Sequence, residues 1–239
     1  MNKNPILEFK NVYQKSNKKN ILKDISFDVH QGEIVGLLGH NGAGKSTLLR
    51  KMSNLESLQE GSIKYLGHEL DTDIKEDDIL LIPDFNVLIN SFSISQNIEL
   101  IKCKYKDIDM EYISKHLKTL QIDMKDTISS LSKGNAELAM LVILFGLKKK
   151  VYLLDEPLGA VDIYRREFIV DLINGLQKEG TTFIITTHLL NDIQDIIKRV
   201  IYLDNHEINF DKTMDEIING NEDLVTFLKE KFGVIRAGE

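Results

Sequence analysis

The chain has 239 residues, of which 42% are hydrophobic and 28% are charged, and its formal net charge is −7. This composition is typical of a globular protein with a substantial core, and the acidic balance disfavours nucleic acid as a partner. No apolar run is long enough to cross a bilayer, the N-terminal residues lack the apolar core of a secretion signal, and the single cysteine cannot form an internal disulfide. We therefore expect a cytoplasmic protein that does not itself span a membrane.

The first third of the chain is predicted to form strands around a glycine-rich loop. Apolar residues alternate over residues 6–12 and 22–29, which predicts two half-buried strands separated by the polar loop 14–20. This pair indicates a small antiparallel sheet. Further strands are predicted at residues 61–66 and 79–83.

Three later runs, 151–154, 182–185 and 200–203, are apolar almost throughout. Strands with this pattern are buried on both faces, as in a parallel sheet. Two amphipathic stretches that predict helices, 163–178 and 189–197, alternate with them. The order of strand, helix and strand predicts an open α/β sheet that binds ligands at the carboxyl ends of its strands.

The sequence changes character between residues 84 and 147, where no convincing strand pattern is found. Helical periodicity predicts instead a helical subdomain inserted into the sheet domain, with helices at 94–102, 111–120 and 135–147. A last helical pattern, 221–232, either packs back on the domain or contacts a partner. We thus predict a single domain over residues 1–239, with a core at 1–83 and 148–220, the helical subdomain at 84–147 and a C-terminal helical tail at 221–239.

The segment GHNGAGKST follows the apolar run 34–38 and predicts a phosphate-binding loop. The glycines let the backbone turn so that its N–H groups converge, and the helix predicted to follow points its positive end at the anion. Lys45 would lie beside the β- and γ-phosphates, and the Ser46 hydroxyl would bind Mg²⁺. We therefore expect a bound nucleoside triphosphate. The candidate binding residues of the loop are Gly39, His40, Asn41, Gly42, Ala43, Gly44, Lys45, Ser46 and Thr47.

Two carboxylates and a histidine follow predicted strands of the parallel sheet. Asp155 comes directly after the run 151–154, where it can order the Mg²⁺ shell, and Glu156 can accept a hydrogen bond from an attacking water. His188 follows the next strand and can hydrogen-bond a γ-phosphate oxygen. Taken alone, two acids after a strand are an ordinary strand exit, and an isolated histidine is usually structural. Downstream of a phosphate-binding loop, we interpret Glu156 and His188 as catalytic and Asp155 as a metal ligand.

Five motifs follow one another along the chain: GHNGAGKST, LSKGN, VYLLDEP, LGAVD and the histidine at position 188. In this order they resemble the ATP-binding subunits of ABC transporters, over residues 7 to about 215. LSKGN is similar to the signature loop of that family, usually written LSGGQ, which other P-loop ATPases lack. Without this context, LSKGN would be a plain helix N-cap at Ser132. The signature residues are Leu131, Ser132, Lys133, Gly134 and Asn135.

The resemblance implies a P-loop NTPase fold with a parallel-sheet core, an N-terminal antiparallel β subdomain and an inserted α-helical subdomain. It also implies ATP and Mg²⁺ as cofactors and a second ATP-binding subunit, identical or different, paired head to tail with this one. Ser132 and Gly134 of one subunit would close over the γ-phosphate held by the other, and Asp162 in the D-loop would bridge the two sites. Closure would reach a membrane-spanning permease subunit through residues 84–97, which implies a position on the cytoplasmic face of the cell membrane.

Departures from the family pattern bear on what the resemblance implies. The aromatic residue that stacks on adenine should fall at Ser16, and Tyr13, three residues earlier, is the alternative. Asp84 stands where the family has a glutamine, and its carboxylate can reach Mg²⁺ directly or through water. The signature carries lysine and asparagine in place of a glycine and the glutamine, and His40 replaces a common proline.

The leading hypothesis is an ATPase subunit that drives transport. A signature without glutamine and a short C-terminal part favour export of a drug, peptide or lipid. The alternative is an ATP-switched assembly factor without transport, such as a scaffold for iron–sulfur assembly.

Overall fold

The computed structural model describes residues 4–70, 78–159, 162–218 and 223–232, most of which lie in strands and helices. In chain order the strands are β1 (Leu7–Ser16), β2 (Lys19–Val29), β3 (Ile34–Gly39), β4 (Glu60–Tyr65), β5 (His68–Glu69), β6 (Ile79–Ile82), β7 (Val151–Asp155), β8 (Thr182–Thr186), β9 (Arg199–Asp204) and β10 (Glu207–Thr213). The helices are α1 (Lys45–Met52), α2 (Ile94–Lys102), α3 (Met110–Thr119), α4 (Lys133–Phe145), α5 (Ile163–Lys178), α6 (Leu190–Ile193), α7 (Met214–Ile218) and α8 (Leu224–Phe232).

Two sheets organise the chain. A four-stranded antiparallel sheet has the order β2-β1-β4-β5, and a six-stranded sheet has the order β10-β9-β3-β8-β7-β6. All neighbouring strands of the larger sheet are parallel except β9 and β10. This arrangement confirms the predicted fold class, a largely parallel core with an antiparallel β part at its N-terminal side.

Strand β3 lies inside the larger sheet and is buried on both faces. Ile34 and Leu38 belong to the core that the sheet shares with α4 and α5, whereas Val35 and Leu37 belong to the core shared with α1 and the antiparallel sheet. Because successive side chains of a strand point to opposite faces, one apolar run serves two cores. The end of β3, where the glycine-rich loop begins, is therefore held from both sides.

The predicted helices are found between β6 and β7. Helix α4 is the most deeply buried of them, with every residue from Leu138 to Phe145 in the core. A helix that is apolar all round belongs inside a protein, and α3 and α5 pack against this one. None of the helices in the described ranges combines the length and the apolar character that crossing a bilayer requires.

Some predicted bounds were wrong, and two strands, β5 and β10, were not predicted. The polar loop 14–20 is a tight hairpin, because Asn17 and Lys18 adopt left-handed conformations (φ 48° and 65°) and the strands continue up to the turn. The helix predicted at 189–197 covers only Leu190–Ile193, since the chain then turns and packs Ile197 against β3 at Gly36. Strand β5 has only two residues, which is too few to show a pattern. Edge strand β10 was not predicted either, although Ile208 and Phe210 alternate with polar residues along it.

Helix α8 packs back on the domain, which was one of the two alternatives for the tail. Leu224 is buried, and the ring of Phe227 packs edge-on against Phe210 with a centroid distance of 5.5 Å. Phe210 stacks on Tyr202 at 5.4 Å, and the Tyr202 hydroxyl lies 3.3 Å from His40 Nε2. Aromatic contacts thus connect α8 with the glycine-rich loop.

Candidate functional site

The glycine-rich loop joins β3 to α1 and is held closely between two strands. At Gly39 (φ 148°) an added Cβ would lie 2.2 Å from the carbonyl oxygen of Leu203 in β9. At Gly44 (φ 108°), the N-cap of α1, a Cβ would lie 2.5 Å from the carbonyl oxygen of Ile21 in β2. Both positions therefore require glycine. Gly44 also supplies no side chain to cap α1, so the positive end of this helix is open to an anion.

Lys45 is the first residue of α1, and only 8% of it is exposed. Its Nζ donates hydrogen bonds to the carbonyl oxygens of Gly39 (2.7 Å) and His40 (3.1 Å), so the side chain runs along the inner side of the loop. Burial lowers the pKa of Lys45, and the negative charges of Glu156 and Asp155 oppose this shift. The structure thus holds a cationic group at the loop, near two carboxylates.

A cavity of about 410 Å³ opens at the carboxyl ends of the parallel strands, where an α/β sheet is expected to bind its ligand. Ser46 contributes a hydroxyl, and Asp84, Asp155 and Glu156 contribute carboxylates. Oxygen groups of this kind are the ligands that Mg²⁺ prefers, so the donor set fits a Mg²⁺–triphosphate. The lining residues are Ile21, Asn41, Gly42, Gly44, Lys45, Ser46, Thr47, Asp84, Asp155, Glu156 and His188.

Asp155, the last residue of β7, is fixed by the neighbouring strand. Thr186 of β8 pairs with it in the sheet, and the buried Thr186 hydroxyl donates a hydrogen bond to Asp155 Oδ1 at 2.6 Å. Sequence reasoning missed Thr186. A hydroxyl at the end of an otherwise apolar strand was the available signal, but the pairing of β7 with β8 was needed to interpret it.

Glu156 and His188 are in direct contact, which the separate roles predicted for them did not anticipate. Glu156 Oε1 lies 3.0 Å from His188 Nε2, and Glu156 Oε2 accepts a hydrogen bond from the His188 backbone N–H at 3.1 Å. Glu156 has a left-handed backbone (φ 49°), and its N–H donates to the Thr186 carbonyl oxygen at 3.1 Å. A left-handed glutamate costs about 1–2 kcal/mol, and such local strain is often found at functional sites.

Some predicted binding residues do not line the cavity. Tyr13 lies in β1 opposite Glu60, and Ser16 lies at the exposed end of the hairpin. Neither belongs to the lining residues, whereas Ile21 of β2 does. Contact of Ser16 with ATP and stacking of Tyr13 on adenine both stay predictions. The cavity lining likewise omits three residues of the loop, namely Gly39, His40 and Ala43.

The signature residues form the start of α4, outside the cavity. Ser132 is the N-cap, and its Oγ accepts a hydrogen bond from the Asn135 N–H at 3.3 Å, so the helix begins two residues earlier than predicted. Ser132 and Lys133 are exposed, Leu131 is half-buried, and Gly134 is buried. Asp162 is likewise exposed and caps α5 by accepting from the Arg165 N–H at 3.1 Å. Ser132 therefore caps α4, as the N-cap interpretation said. Its role in the signature stays a prediction.

Comparison with known proteins agrees with this geometry. A sequence profile of the ABC transporter family matches residues 22–159. The chain is 27% identical to the ABC transporter ATP-binding protein YtrB of Bacillus subtilis, over 89% of this chain and 73% of YtrB. It is 33% identical to the methionine import ATP-binding protein MetN 1 of Staphylococcus epidermidis, over 85% of this chain and 64% of MetN 1. The chain therefore spans about two thirds of the length of these curated relatives.

A solved structure shows the same fold. It is a dimeric, post-hydrolysis ATP-binding cassette bound to ADP and Pi, which superposes with a TM-score of 0.75 over 87% of this chain and 98% of the other, at 24% identity. The two-sheet architecture, the glycine-rich loop and the match of the sequence profile all indicate the same family. This chain belongs to the ABC transporter family, and its fold is the P-loop ATPase cassette of that family.

Proposed function

We propose that this chain binds Mg²⁺–ATP in the cavity, hydrolyses it as one half of a head-to-tail pair, and thereby drives a membrane transporter. This proposal rests on where the motifs lie, because they fall into two separate places. Lys45, Glu156 and His188 line one cavity, whereas the signature residues lie outside it. A complete site then requires the signature of a second cassette.

Within the cavity each group has a chemical role. Lys45 and the N-terminus of α1 stabilise the charge on the phosphates, while Ser46 and Asp155, with Asp84 as a further oxygen ligand, would hold Mg²⁺, which neutralises phosphate charge when it is bound. Glu156 accepts a hydrogen bond from the attacking water. His188, bonded to Glu156 through both its ring and its backbone, orients that carboxylate.

The exposed start of α4 supports pairing with a second cassette. Ser132 offers its hydroxyl, and the first turn of α4 offers the positive end of a long helix, so together they can bind the γ-phosphate held by the other subunit. Lys133 adds a cation at the same place. Asp162 is exposed as well, which suits a bridge between the two sites.

An apolar surface directly after Asp84 supports a permease partner. Phe85 is 64% exposed and Val87 is 45% exposed, and Ile89 and Phe92 of the same segment are exposed as well. Exposed apolar groups this close together are typical of an interaction site. A membrane-spanning permease subunit would cover them, with the cassette on the cytoplasmic face of the cell membrane.

This surface is also connected to the signature helix. Asn86 Nδ2 donates a hydrogen bond to the Ala136 carbonyl oxygen of α4 at 2.8 Å, and the Val87 N–H lies 3.3 Å from Met140 Sδ. A shift of α4 on ATP binding would therefore move the apolar surface. Such a connection suits an ATPase that works on a membrane protein.

For the cargo we retain export of a drug, peptide or lipid, supported by the signature that lacks glutamine. Import is the competing direction, because MetN 1 is an import protein by name. The second candidate function, an assembly factor such as an iron–sulfur scaffold, predicts soluble partners only. Purification from detergent-solubilised membranes distinguishes a transport subunit from an assembly factor. A transport subunit should be recovered with a hydrophobic multi-span protein.

Mixing two inactive variants tests the composite site. Lys45→Ala disables the phosphate loop and Ser132→Ala disables the signature, and we expect each to reduce ATP hydrolysis by about a hundredfold. A mixed pair keeps one complete site, formed by the loop of the Ser132→Ala subunit and the signature of the Lys45→Ala subunit. The mixture should therefore hydrolyse ATP well above either variant alone. No gain on mixing, or full activity of a monomer, would contradict the composite site.

A further inference from the structure

Arg165 lies between the signature loop and the D-loop of the same subunit. It belongs to the first turn of α5, and its Nη1 bonds to Asp162 Oδ2, whose carboxylate also accepts from the Arg165 backbone N–H. Its Nη2 donates a hydrogen bond to Asn135 Oδ1 at 2.9 Å. One guanidinium group thus connects two motifs that are about thirty residues apart in the chain.

The guanidinium also lies directly on the signature backbone. A Cβ added at Gly134 would be 3.1 Å from Arg165 Nη1 and 3.3 Å from its Cζ, so glycine leaves the guanidinium the room that a larger residue would reduce. Asn135, which accepts from Arg165, donates its own N–H to Ser132. The contacts therefore run from Asp162 through Arg165 and Asn135 to the hydroxyl at the start of α4.

The planar fork of arginine is needed for this connection. Its two terminal nitrogens bond to different acceptors, one on each loop, and a lysine ammonium on a flexible stem does not reproduce that geometry. Arg165 is absent from the cavity lining. Its contacts therefore affect the surface that faces a second cassette rather than the phosphate loop of its own subunit.

We propose that Arg165 is a positioning residue that holds the signature loop and Asp162 of one subunit as a single unit for docking on the other subunit's nucleotide. This rests on the paired cassette proposed above. The unit depends on arginine at position 165 and a side-chain acceptor at 135, and glycine at 134 leaves room for the guanidinium. When the N-terminus of α4 moves, Asp162 moves with it.

ATP-dependent pairing in a Glu156→Gln background tests the role. Light scattering against ATP concentration gives the half-maximal ATP level for pairing, and a fluorescent ATP analogue gives affinity for the single subunit. We expect Arg165→Ala and Arg165→Lys to raise that level about tenfold, because a charged hydrogen bond is lost, while single-subunit affinity stays within about twofold. The double variant Asn135→Ala with Arg165→Ala should need no more ATP for half-maximal pairing than Arg165→Ala alone, because both substitutions remove the same hydrogen bond.

Arg166→Ala is the matched control, because Arg166 lies on the same helix and forms an ion pair of 2.8 Å with Asp192. It should pair like the parent. Unchanged pairing of the Arg165 variants, purely additive effects of the two substitutions, or an equal loss in Arg166→Ala would each overturn the proposal. A Glu156→Gln parent that never pairs with ATP would instead refute the proposed function, and this proposal with it.

Discussion

Thr186→Val isolates the buried hydroxyl that fixes Asp155. This hydroxyl donates to Asp155 Oδ1 at 2.6 Å and accepts from the Glu156 N–H at 3.2 Å. Valine keeps the shape of threonine without the hydroxyl. A hydrogen bond to a charged group contributes about 1.5–3 kcal/mol, and because Asp155 is only half-buried we expect a loss of stability near the lower value. For a chain of this size, that loss lowers Tm by about 3–6 °C.

The same variant should impair hydrolysis beyond its effect on folding. Asp155, the proposed Mg²⁺ ligand, would no longer be held at the end of β7, so we expect Mg²⁺ to bind more weakly. Loss of a group that orients a metal ligand typically costs about 10- to 100-fold in metal affinity or activity. We expect a fall of at least tenfold in ATPase rate that is partly restored by raising the Mg²⁺ concentration, as measured by phosphate release.

Thr182→Val is the matched control for this experiment. Thr182 is equally buried at the other end of β8, where its Oγ1 accepts from the Gly32 N–H at 2.9 Å. Calorimetry should show a comparable fall in Tm, with the rate and its Mg²⁺ dependence as in the unmodified chain. An unchanged Mg²⁺ dependence in Thr186→Val, or an equal loss of activity in both variants, would refute the role of Thr186.

Three further changes test the site and the fold. Glu156→Gln should keep ATP affinity but lower turnover at least about a hundredfold and accumulate ATP-bound pairs in light scattering; wild-type turnover would exclude Glu156 as the base. Gly44→Ala should destabilise the chain by more than about 2 kcal/mol in urea unfolding, because its Cβ would lie 2.5 Å from a carbonyl oxygen; an unchanged midpoint would contradict this loop conformation. Burial alone would raise the pKa of Asp78, but hydrogen bonds from Lys150 and Tyr65 outweigh it and lower the pKa. The contribution of Asp78 to stability is therefore present above the ordinary carboxyl range and lost as the pH falls, so Asp78→Asn should flatten the decline of Tm between about pH 5 and pH 3. A decline as steep as that of the parent would show that these bonds add nothing.

The sequence was most informative where one segment determines its own structure. The apolar runs of β7, β8 and β9 predicted buried parallel strands, because a strand that is covered on both faces is apolar almost throughout. The glycine-rich loop was likewise readable, since Gly39 and Gly44 occupy places where no side chain fits.

Contacts between distant segments could not be predicted in the same way. The bond from Thr186 to Asp155 depends on the register of two strands, and the contact of Glu156 with His188 depends on two loops that meet only in the folded sheet. The short extent of α6 goes with a contact between distant segments, since Ile197 lies against Gly36 of β3 just after the helix ends. Periodicity carries no information on such a contact.

The ring contacts from Phe227 through Phe210 and Tyr202 to His40 matter to anyone who shortens this chain for biochemistry. Deleting the last helix would expose Phe210 to water and remove its edge-on neighbour. Tyr202 would then lose part of its packing. Its hydroxyl, which lies beside the His40 imidazole in the glycine-rich loop, would be held less firmly. ATP affinities measured with and without the last helix should therefore be compared directly before a shortened chain is used.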